Sequence, residues 1–141
     1  MPLMNKLSFE DYIEKNGQLV YRNTGTSMLP LLKQGRDFFI VEKPENRTLK
    51  KYDVVLFMRK PDCYVLHRII KINDSGYVIR GDNCINKEYG ITDKDIIGVM
   101  TGFIRKGKRH SVSECAYRLY SVLHCAFSPL RIMIYKVRCK L

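Results

Sequence analysis

Two apolar stretches decide the fold, Tyr52-Asp53-Val54-Val55-Leu56-Phe57-Met58 and Cys63-Tyr64-Val65-Leu66-His67-Arg68-Ile69-Ile70-Lys71-Ile72. Both are rich in β-branched, aliphatic and aromatic residues, which is typical of β-strands. The residues between them, Arg59-Lys60-Pro61-Asp62, have the composition of a hairpin turn. We therefore predict two adjacent antiparallel strands, around which the rest of the chain is built.

Further strands are predicted on both sides of this hairpin, each bounded by turn-forming residues. They cover residues 18–22, 37–43, 77–80 and 96–105, with a loop over residues 81–92 and a short helical turn at 93–95. A short N-terminal helix is predicted to begin at Ser8, which can cap it together with Asp11, and to end at Gly17. The predicted fold class is mainly β (α+β), with one compact domain over residues 1–112.

The C-terminal part of the chain, residues 113–141, is predicted to be a separate basic helical tail. Ser113 can cap a helix that runs to about His124, and Ser128-Pro129 interrupts it before a second short stretch over residues 130–141. The tail can pack on the β domain, or it can lie as an amphipathic segment in the headgroup layer of a membrane. Its apolar residues recur at helical spacing: Ala116, Leu119, Tyr120, Leu123 and Phe127.

Positive charge is concentrated towards the C-terminus. The whole chain of 141 residues carries a net charge of +11, and residues 104–141 carry nine Lys and Arg against one acidic residue. Such a surface favours anionic lipid headgroups or, without sequence specificity, nucleic acid. We expect an anionic membrane surface as a partner of residues 105–141, and no specific nucleic acid.

The five cysteines do not predict a metal site or a disulfide framework. Their number is odd, and no pair has the two-residue spacing of a zinc knuckle. We therefore expect no metal, no cofactor and a reducing compartment. The N-terminus lacks the apolar run of a signal peptide, and no window approaches about 18 apolar residues. The expected location is cytoplasmic or peripheral to a membrane.

Three segments carry residues that could perform nucleophilic catalysis: Gly25-Thr26-Ser27-Met28-Leu29-Pro30, Leu66-His67-Arg68 and Gly81-Asp82-Asn83. A serine needs a base to take its proton, and the base needs a group that orients it. Ser27, His67 and an acid would supply these roles in that order. The structural alternatives are a serine in an ordinary turn and a histidine packed on a strand face beside Val65 and Ile69.

The segment around Ser27 resembles the nucleophile box of the type I signal peptidases and the LexA-type self-cleaving repressors. The resemblance continues in order over residues 18–105, through 51–57, 64–70, 77–83 and 96–100. It implies a β fold and a serine endopeptidase with Ser27 as nucleophile. It also implies a substrate bound as an extended peptide or leader segment, beside the strand before Ser27 and beside the strand of the base, and cleaved after small residues, as in signal peptide processing.

The position of the base in this resemblance holds His67, whereas most bacterial signal peptidases and the LexA group have a lysine. It is therefore similar to the endoplasmic-reticulum type of signal peptidase, which uses serine and histidine. Asp82 matches an acid of the family loop, but in the histidine type the orienting acid lies a few residues later, where Glu88 is the nearest carboxylate. Asp82 and Glu88 both remain candidates for the acid that orients His67. Asp82 can instead hold its loop through a hydrogen bond to the backbone. Asp93 and Asp95 are more distant choices.

Two features depart from the family pattern. Gly25 stands where many signal peptidases have a serine that assists the oxyanion hole, so the backbone N–H of Ser27, helped by Thr26, would have to stabilise the oxyanion. We also expect no N-terminal membrane anchor of the kind the family has, because no long apolar run precedes Ser27. We expect either a soluble or cytoplasmic-side substrate or a tail that docks the protein on a bilayer.

Two other functions compete with a signal-peptidase-like serine endopeptidase. The first is a non-catalytic module of the same fold that binds a peptide or a membrane surface. The second is a LexA-like regulator that cleaves itself, which the sequence does not favour because no helix-turn-helix is evident before Ser27 and the base is not a lysine.

Overall fold

The computed structural model describes residues 8–45, 48–59 and 63–140. Over this part of the chain, three helices and eight strands follow one another, and the fold class is mainly β with helices at both ends, as the sequence predicts. The elements are α1 (Phe9–Asn16), β1 (Gln18–Arg22), β2 (Phe38–Glu42), β3 (Val54–Arg59), β4 (Cys63–Asn73), β5 (Gly76–Arg80), β6 (Glu88–Ile91), β7 (Ile96–Arg105), β8 (Lys108–Ser111), α2 (Cys115–Ala126) and α3 (Ser128–Lys140).

The described strands form one antiparallel sheet in the order β1-β2-β7-β3-β4-β5-β6, and β8 pairs with β7. The predicted hairpin is its centre, where Val55 lies opposite His67 and Leu56 opposite Leu66. Of the turn predicted between these strands, residues 60–62 lie outside the described residues. β1 is an edge strand, because β2 is its only described partner.

The N-terminal helix forms as predicted. Ser8 Oγ accepts a hydrogen bond from the backbone N–H of Asp11 at 3.1 Å, which satisfies one of the free donors at the start of α1. Gly17 ends the helix with φ 81°, a left-handed conformation that glycine adopts at little cost, and its N–H bonds to the Ile13 carbonyl at 2.7 Å.

The predicted loop over residues 81–92 was too long. Its last part is β6, which pairs with β5 so that Glu88 lies opposite Ile79 and Ile91 opposite Tyr77. Gly90 interrupts this short strand, so alternation of apolar and polar residues could not reveal it. The strand exists because of pairing between distant residues. β8 was not predicted for the same reason, because it becomes a strand through pairing with β7. Residues 93–95, predicted as a short helical turn, form a turn.

The predicted cap of the first C-terminal helix was also wrong. α2 begins at Cys115 after Glu114, and no side chain caps it. Ser113 lies one residue before the N-cap position, and its hydroxyl bonds with the Ser111 hydroxyl at 2.8 Å. The interruption at Ser128-Pro129 is confirmed, since α3 begins at Ser128. Within the described residues, no helix is both long and apolar enough to cross a membrane.

Buried apolar side chains form two groups around the sheet. The larger group includes residues of β1, β2, β3 and β7, and it receives Tyr117 from α2. The smaller group lies around the centre of the sheet and packs beside the strand that carries His67. Burying side chains of this size contributes about 1.5–3 kcal/mol each before the loss of conformational entropy. The smaller group consists of Leu49, Val55, Phe57, Val65, Ile69, Ile79, Ile96 and Val99.

Candidate active site

Three elements converge at the candidate site. Ser27 lies in the loop between β1 and β2, His67 lies in β4, and residues 81–87 join β5 to β6. Ser27 and His67 line the same open cavity of about 520 Å³. Its wall is aromatic, because Phe9 of α1 packs against Tyr21 and Tyr64 with ring centroids 4.7 and 4.4 Å apart.

Gly81 lies where the serine loop and the histidine meet. A methyl group added to its Cα would lie 2.7 Å from the Ser27 carbonyl oxygen and 2.9 Å from His67 Nε2. Both atoms therefore approach the same point, and a side chain at residue 81 would force them apart. Nε2 is therefore the ring nitrogen that lies next to Gly81, on whose Cβ position the Ser27 carbonyl also converges.

The loop after Gly81 holds the serine segment in place. The backbone N–H of Asn83 donates to the Ser27 carbonyl at 2.8 Å, and its side-chain amide donates to the Thr26 carbonyl at 3.1 Å. The N–H of Asp82 donates to Met28 Sδ at 3.5 Å, and Met28 is buried. These contacts fix the residues on both sides of the Ser27 side chain.

The Ser27 side chain itself remains half-buried at the cavity. Within the described residues, neither its N–H nor its hydroxyl makes a hydrogen bond to another group, and the hydroxyl is not bonded to His67. Catalytic hydrogen bonds are often long in unliganded enzymes and tighten when substrate binds. The free N–H is the donor that an oxyanion would need.

His67 is buried, with 6 % of its surface exposed, and packs edge-on against Phe57 with ring centroids 6.1 Å apart. Its Nδ1 has no hydrogen-bond partner among the described residues, and it lies 3.8 Å from Glu88 Oε1. Burial lowers the pKa of His67 below the ordinary 6.5, Glu88 opposes this shift, and Arg59 adds to it. The imidazole is therefore neutral at neutral pH, the form that can accept a proton.

Glu88 is the carboxylate that the structure brings to His67. Its Oε1 also binds Arg59 Nη2, so the acid is shared between the guanidinium and the imidazole. Arg59, Glu88 and His67 line a second cavity of about 730 Å³, which lies on the Glu88 side of the histidine.

Asp82 has a different partner. Its two carboxylate oxygens accept hydrogen bonds from Arg68 Nε at 2.8 Å and Nη2 at 2.9 Å, and Tyr120 donates a third at 2.8 Å. Burial alone would raise the pKa of the Asp82 carboxyl, but these bonds outweigh it and hold the pKa below 3.8. Asp82 thus secures its loop through a buried ion pair, and its described hydrogen bonds do not reach His67.

The C-terminal helices complete this network. Arg68 Nη1 donates to Ser121 Oγ at 2.8 Å, and the Asp82 carbonyl lies 2.8 Å from His124 Nε2. Arg131 of α3 donates to the same carbonyl at 3.3 Å. No local signal predicts these contacts of His124 and Arg131, because Asp82 lies 42 and 49 residues before them in the chain.

Asp93 and Asp95, the more distant acid choices, do not line either cavity that contains His67. Asp93 accepts a hydrogen bond from the Tyr77 hydroxyl at 2.6 Å, and Asp95 accepts one from the Thr92 N–H at 2.9 Å. Both carboxylates therefore stabilise local structure around the start of β7.

Among residues 8–45, 48–59 and 63–140, no group of three or more His, Cys, Asp or Glu side chains is arranged to hold a metal ion. Comparison of the chain with models of protein families, with curated proteins and with solved structures finds no match.

Proposed function

We propose that the protein is a serine endopeptidase in which Ser27 is the nucleophile and His67 the general base. One observation carries the proposal. The two nitrogens of the His67 ring lie beside different groups: Nε2 is next to Gly81, which also adjoins the Ser27 carbonyl, and Nδ1 is 3.8 Å from the Glu88 carboxylate. A base between a nucleophile and an acid needs this orientation.

The proposed chemistry is acyl transfer to Ser27 and then to water. Ser27 Oγ attacks the scissile carbonyl while its proton passes to His67 Nε2, and the Ser27 N–H stabilises the resulting oxyanion. The imidazolium then protonates the leaving amine, which leaves an ester on Ser27. Water, deprotonated by His67, hydrolyses the ester and restores the serine. Glu88 stabilises the imidazolium across the 3.8 Å gap.

The sheet supports binding of an extended peptide. β1 leads directly to the Ser27 loop and has one free edge among the described strands. β4 pairs with β5 only from Arg68 onward, so its residues 63–67 have β3 as their only described partner. A peptide could add main-chain hydrogen bonds at these edges. The aromatic wall of the Ser27 cavity would accept apolar side chains and limit their size.

A peptide-cleavage assay tests the proposal. The parent protein is incubated with a peptide library, and new termini are identified by mass spectrometry. We expect cleavage that Ser27→Ala reduces by at least about 10⁴-fold. Ser75→Ala, which alters an exposed serine in the β4–β5 turn, should cleave like the parent. The proposal is wrong if Ser27→Ala cleaves as fast as the parent. Absence of cleavage by the parent would favour the non-catalytic module instead.

A further inference from the structure

Exposed apolar side chains are concentrated on the C-terminal helices. Of the 14 large apolar side chains exposed in the described residues, nine lie between Leu119 and Val137. Single exposed apolar residues are ordinary on protein surfaces, but a contiguous group indicates a contact with another apolar phase. The outward surface of α2 and α3 is therefore the strongest candidate for a docking surface.

The residues on α3 form one continuous stripe. Leu130, Met133, Ile134 and Val137 have the i, i+3, i+4, i+7 spacing that places side chains on one helical face. Each is exposed by 44–56 %. On α2, Leu119, Val122 and Leu123 are also exposed, on the face opposite the buried Tyr117 and Ser121.

Cationic residues flank the stripe. At about 100° per residue, Lys136 and Lys140 lie along one side of it and Arg138 along the other. Long basic side chains in this position can extend their charged ends towards phosphate groups while their stems cover apolar surface. Residues 113–141 carry five Lys and Arg against one acidic residue, so the tail presents a positive surface.

The opposite side of α3 faces the candidate active site. Ile132 and Tyr135 line the cavity that contains His67 and Glu88, and Arg131 is bonded to the Asp82 carbonyl at 3.3 Å. These contacts fix the rotation of α3, so that the stripe points away from the site. A helix with its side chains is about 10–12 Å across, so the site would lie close to whatever the stripe contacts.

We propose that the outer face of α2 and α3, centred on the stripe Leu130–Met133–Ile134–Val137, docks the protein on an anionic lipid bilayer. The positive charge of the tail favours an anionic bilayer over a second copy of the chain. Pairing two stripes would bring two cationic tails together, and these would repel each other. An anionic leaflet attracts each Lys or Arg and accepts the aliphatic side chains at the headgroup boundary. The proposal goes beyond the peptidase activity and does not depend on it.

Vesicle flotation tests the proposal. The full chain, carrying Ser27→Ala so that cleavage plays no part, is mixed with vesicles of phosphatidylcholine alone or with one third phosphatidylglycerol. We expect flotation with the anionic vesicles that falls as NaCl rises. Ile134→Glu should weaken binding at least about tenfold. Its matched control is Ile72→Glu, since Ile72 is 45 % exposed and Ile134 44 %; this control should bind like the parent.

The contribution of charge is measured with a second pair of variants. Lys136→Gln with Lys140→Gln should weaken binding to anionic vesicles about fivefold for each lysine. Lys50→Gln with Lys71→Gln, which removes two exposed lysines elsewhere, should have little effect. Circular dichroism checks that every variant is folded. The proposal is overturned if the parent does not float with anionic vesicles or if the two isoleucine variants bind equally. It is also overturned if sedimentation shows a dimer that Ile134→Glu dissociates, because the stripe then serves self-association.

Discussion

His67 and Glu88 face each other across 3.8 Å, between Nδ1 of the ring and Oε1 of the carboxylate, without a hydrogen bond. The same oxygen binds Arg59. Burial keeps the pKa of His67 below 6.5, while Glu88 and, to a smaller extent, Asp82 raise it and Arg59 lowers it. The influences of Glu88 and Arg59 on this pKa can be removed one at a time by substitution.

The first prediction concerns the acidic limb of the pH profile of kcat/KM, which reports protonation of the free base. In the parent this limb should lie below pH 6.5, because burial lowers the pKa of His67. Glu88→Gln removes an influence that raises the pKa, so the limb should move to lower pH, and the rate should fall about 10- to 100-fold. Arg59→Gln should move the limb to higher pH.

Glu42→Gln is the control for these variants, because Glu42 is exposed and lies on β2 away from the cavities. It should leave both the rate and the limb unchanged. Movement of the limb in the same direction in both Glu88→Gln and Arg59→Gln would contradict the assigned roles.

The second prediction concerns the clamp on the serine loop. Asn83→Ala removes the side-chain bond to the Thr26 carbonyl but keeps the backbone bond to Ser27. We expect kcat to fall about tenfold because the nucleophile is held less firmly, with a loss of less than about 1 kcal/mol in the free energy of unfolding. Asn86→Ala, an exposed asparagine of the same loop, should change neither quantity. Equal rates for the two variants would argue against the clamp.

The third prediction uses the close approach at Gly81. In Gly81→Ala the new methyl group meets the Ser27 carbonyl and His67 Nε2 at 2.7 and 2.9 Å, so these groups must separate. We expect kcat/KM to fall about 100-fold and the free energy of unfolding to fall by about 1–3 kcal/mol.

Gly102→Ala provides the matched control for Gly81→Ala. Its methyl group would lie 2.6 Å from the His110 carbonyl, a comparable overlap at the β7–β8 pair. It should destabilise the protein similarly but leave the kcat of the folded protein unchanged. If both variants lose activity to the same extent, the contact at Gly81 has no special role in catalysis.

The fourth prediction separates the structural role of Asp82 from that of a catalytic acid. Asp82→Ala leaves Arg68, whose side chain is fully buried, without its carboxylate, and this should cost about 3–5 kcal/mol of stability. The folded-state pKa of Asp82 is lowered, so its contribution to stability is complete above pH 3.8 and is lost as the pH falls below that value.

Urea unfolding between pH 2.5 and 7 measures this contribution. The free energy of unfolding of the parent should fall more steeply below pH 3.8 than that of Asp82→Ala, because the variant lacks the titrating group. Parallel curves would show that the ion pair contributes no pH-dependent stability.

Local sequence signals predicted those parts of the fold that depend on neighbouring residues. Ser8 and Gly17 mark the ends of α1, and the apolar runs that form β3 and β4 are visible in the sequence. β6 was missed because its four residues become a strand only through pairing with β5. Pairing across a sheet depends on residues that are distant in the chain, and a single sequence does not contain that information.

The candidate site likewise combines residues that local sequence predicts with contacts that depend on distant parts of the chain. Their local segments predict Ser27 and His67 as candidates, and the two residues line one cavity. The sequence does not choose between Asp82 and Glu88 as the acid, because the choice depends on which carboxylate pairs with Arg68, the residue after His67 on β4. A bidentate arginine pair needs a defined geometry, which sequence spacing alone does not provide.

The most direct test of the central claim, that His67 activates residue 27, requires no substrate. Ser27→Cys places a thiol at the nucleophile position, and its alkylation at pH 7 is measured by mass spectrometry against exposed Cys115. A nearby imidazole promotes the reactive thiolate, so we predict that the introduced thiol reacts at least about tenfold faster than Cys115 and that adding His67→Ala abolishes the difference. A rate that is unchanged or higher after His67→Ala would contradict the proposed pair.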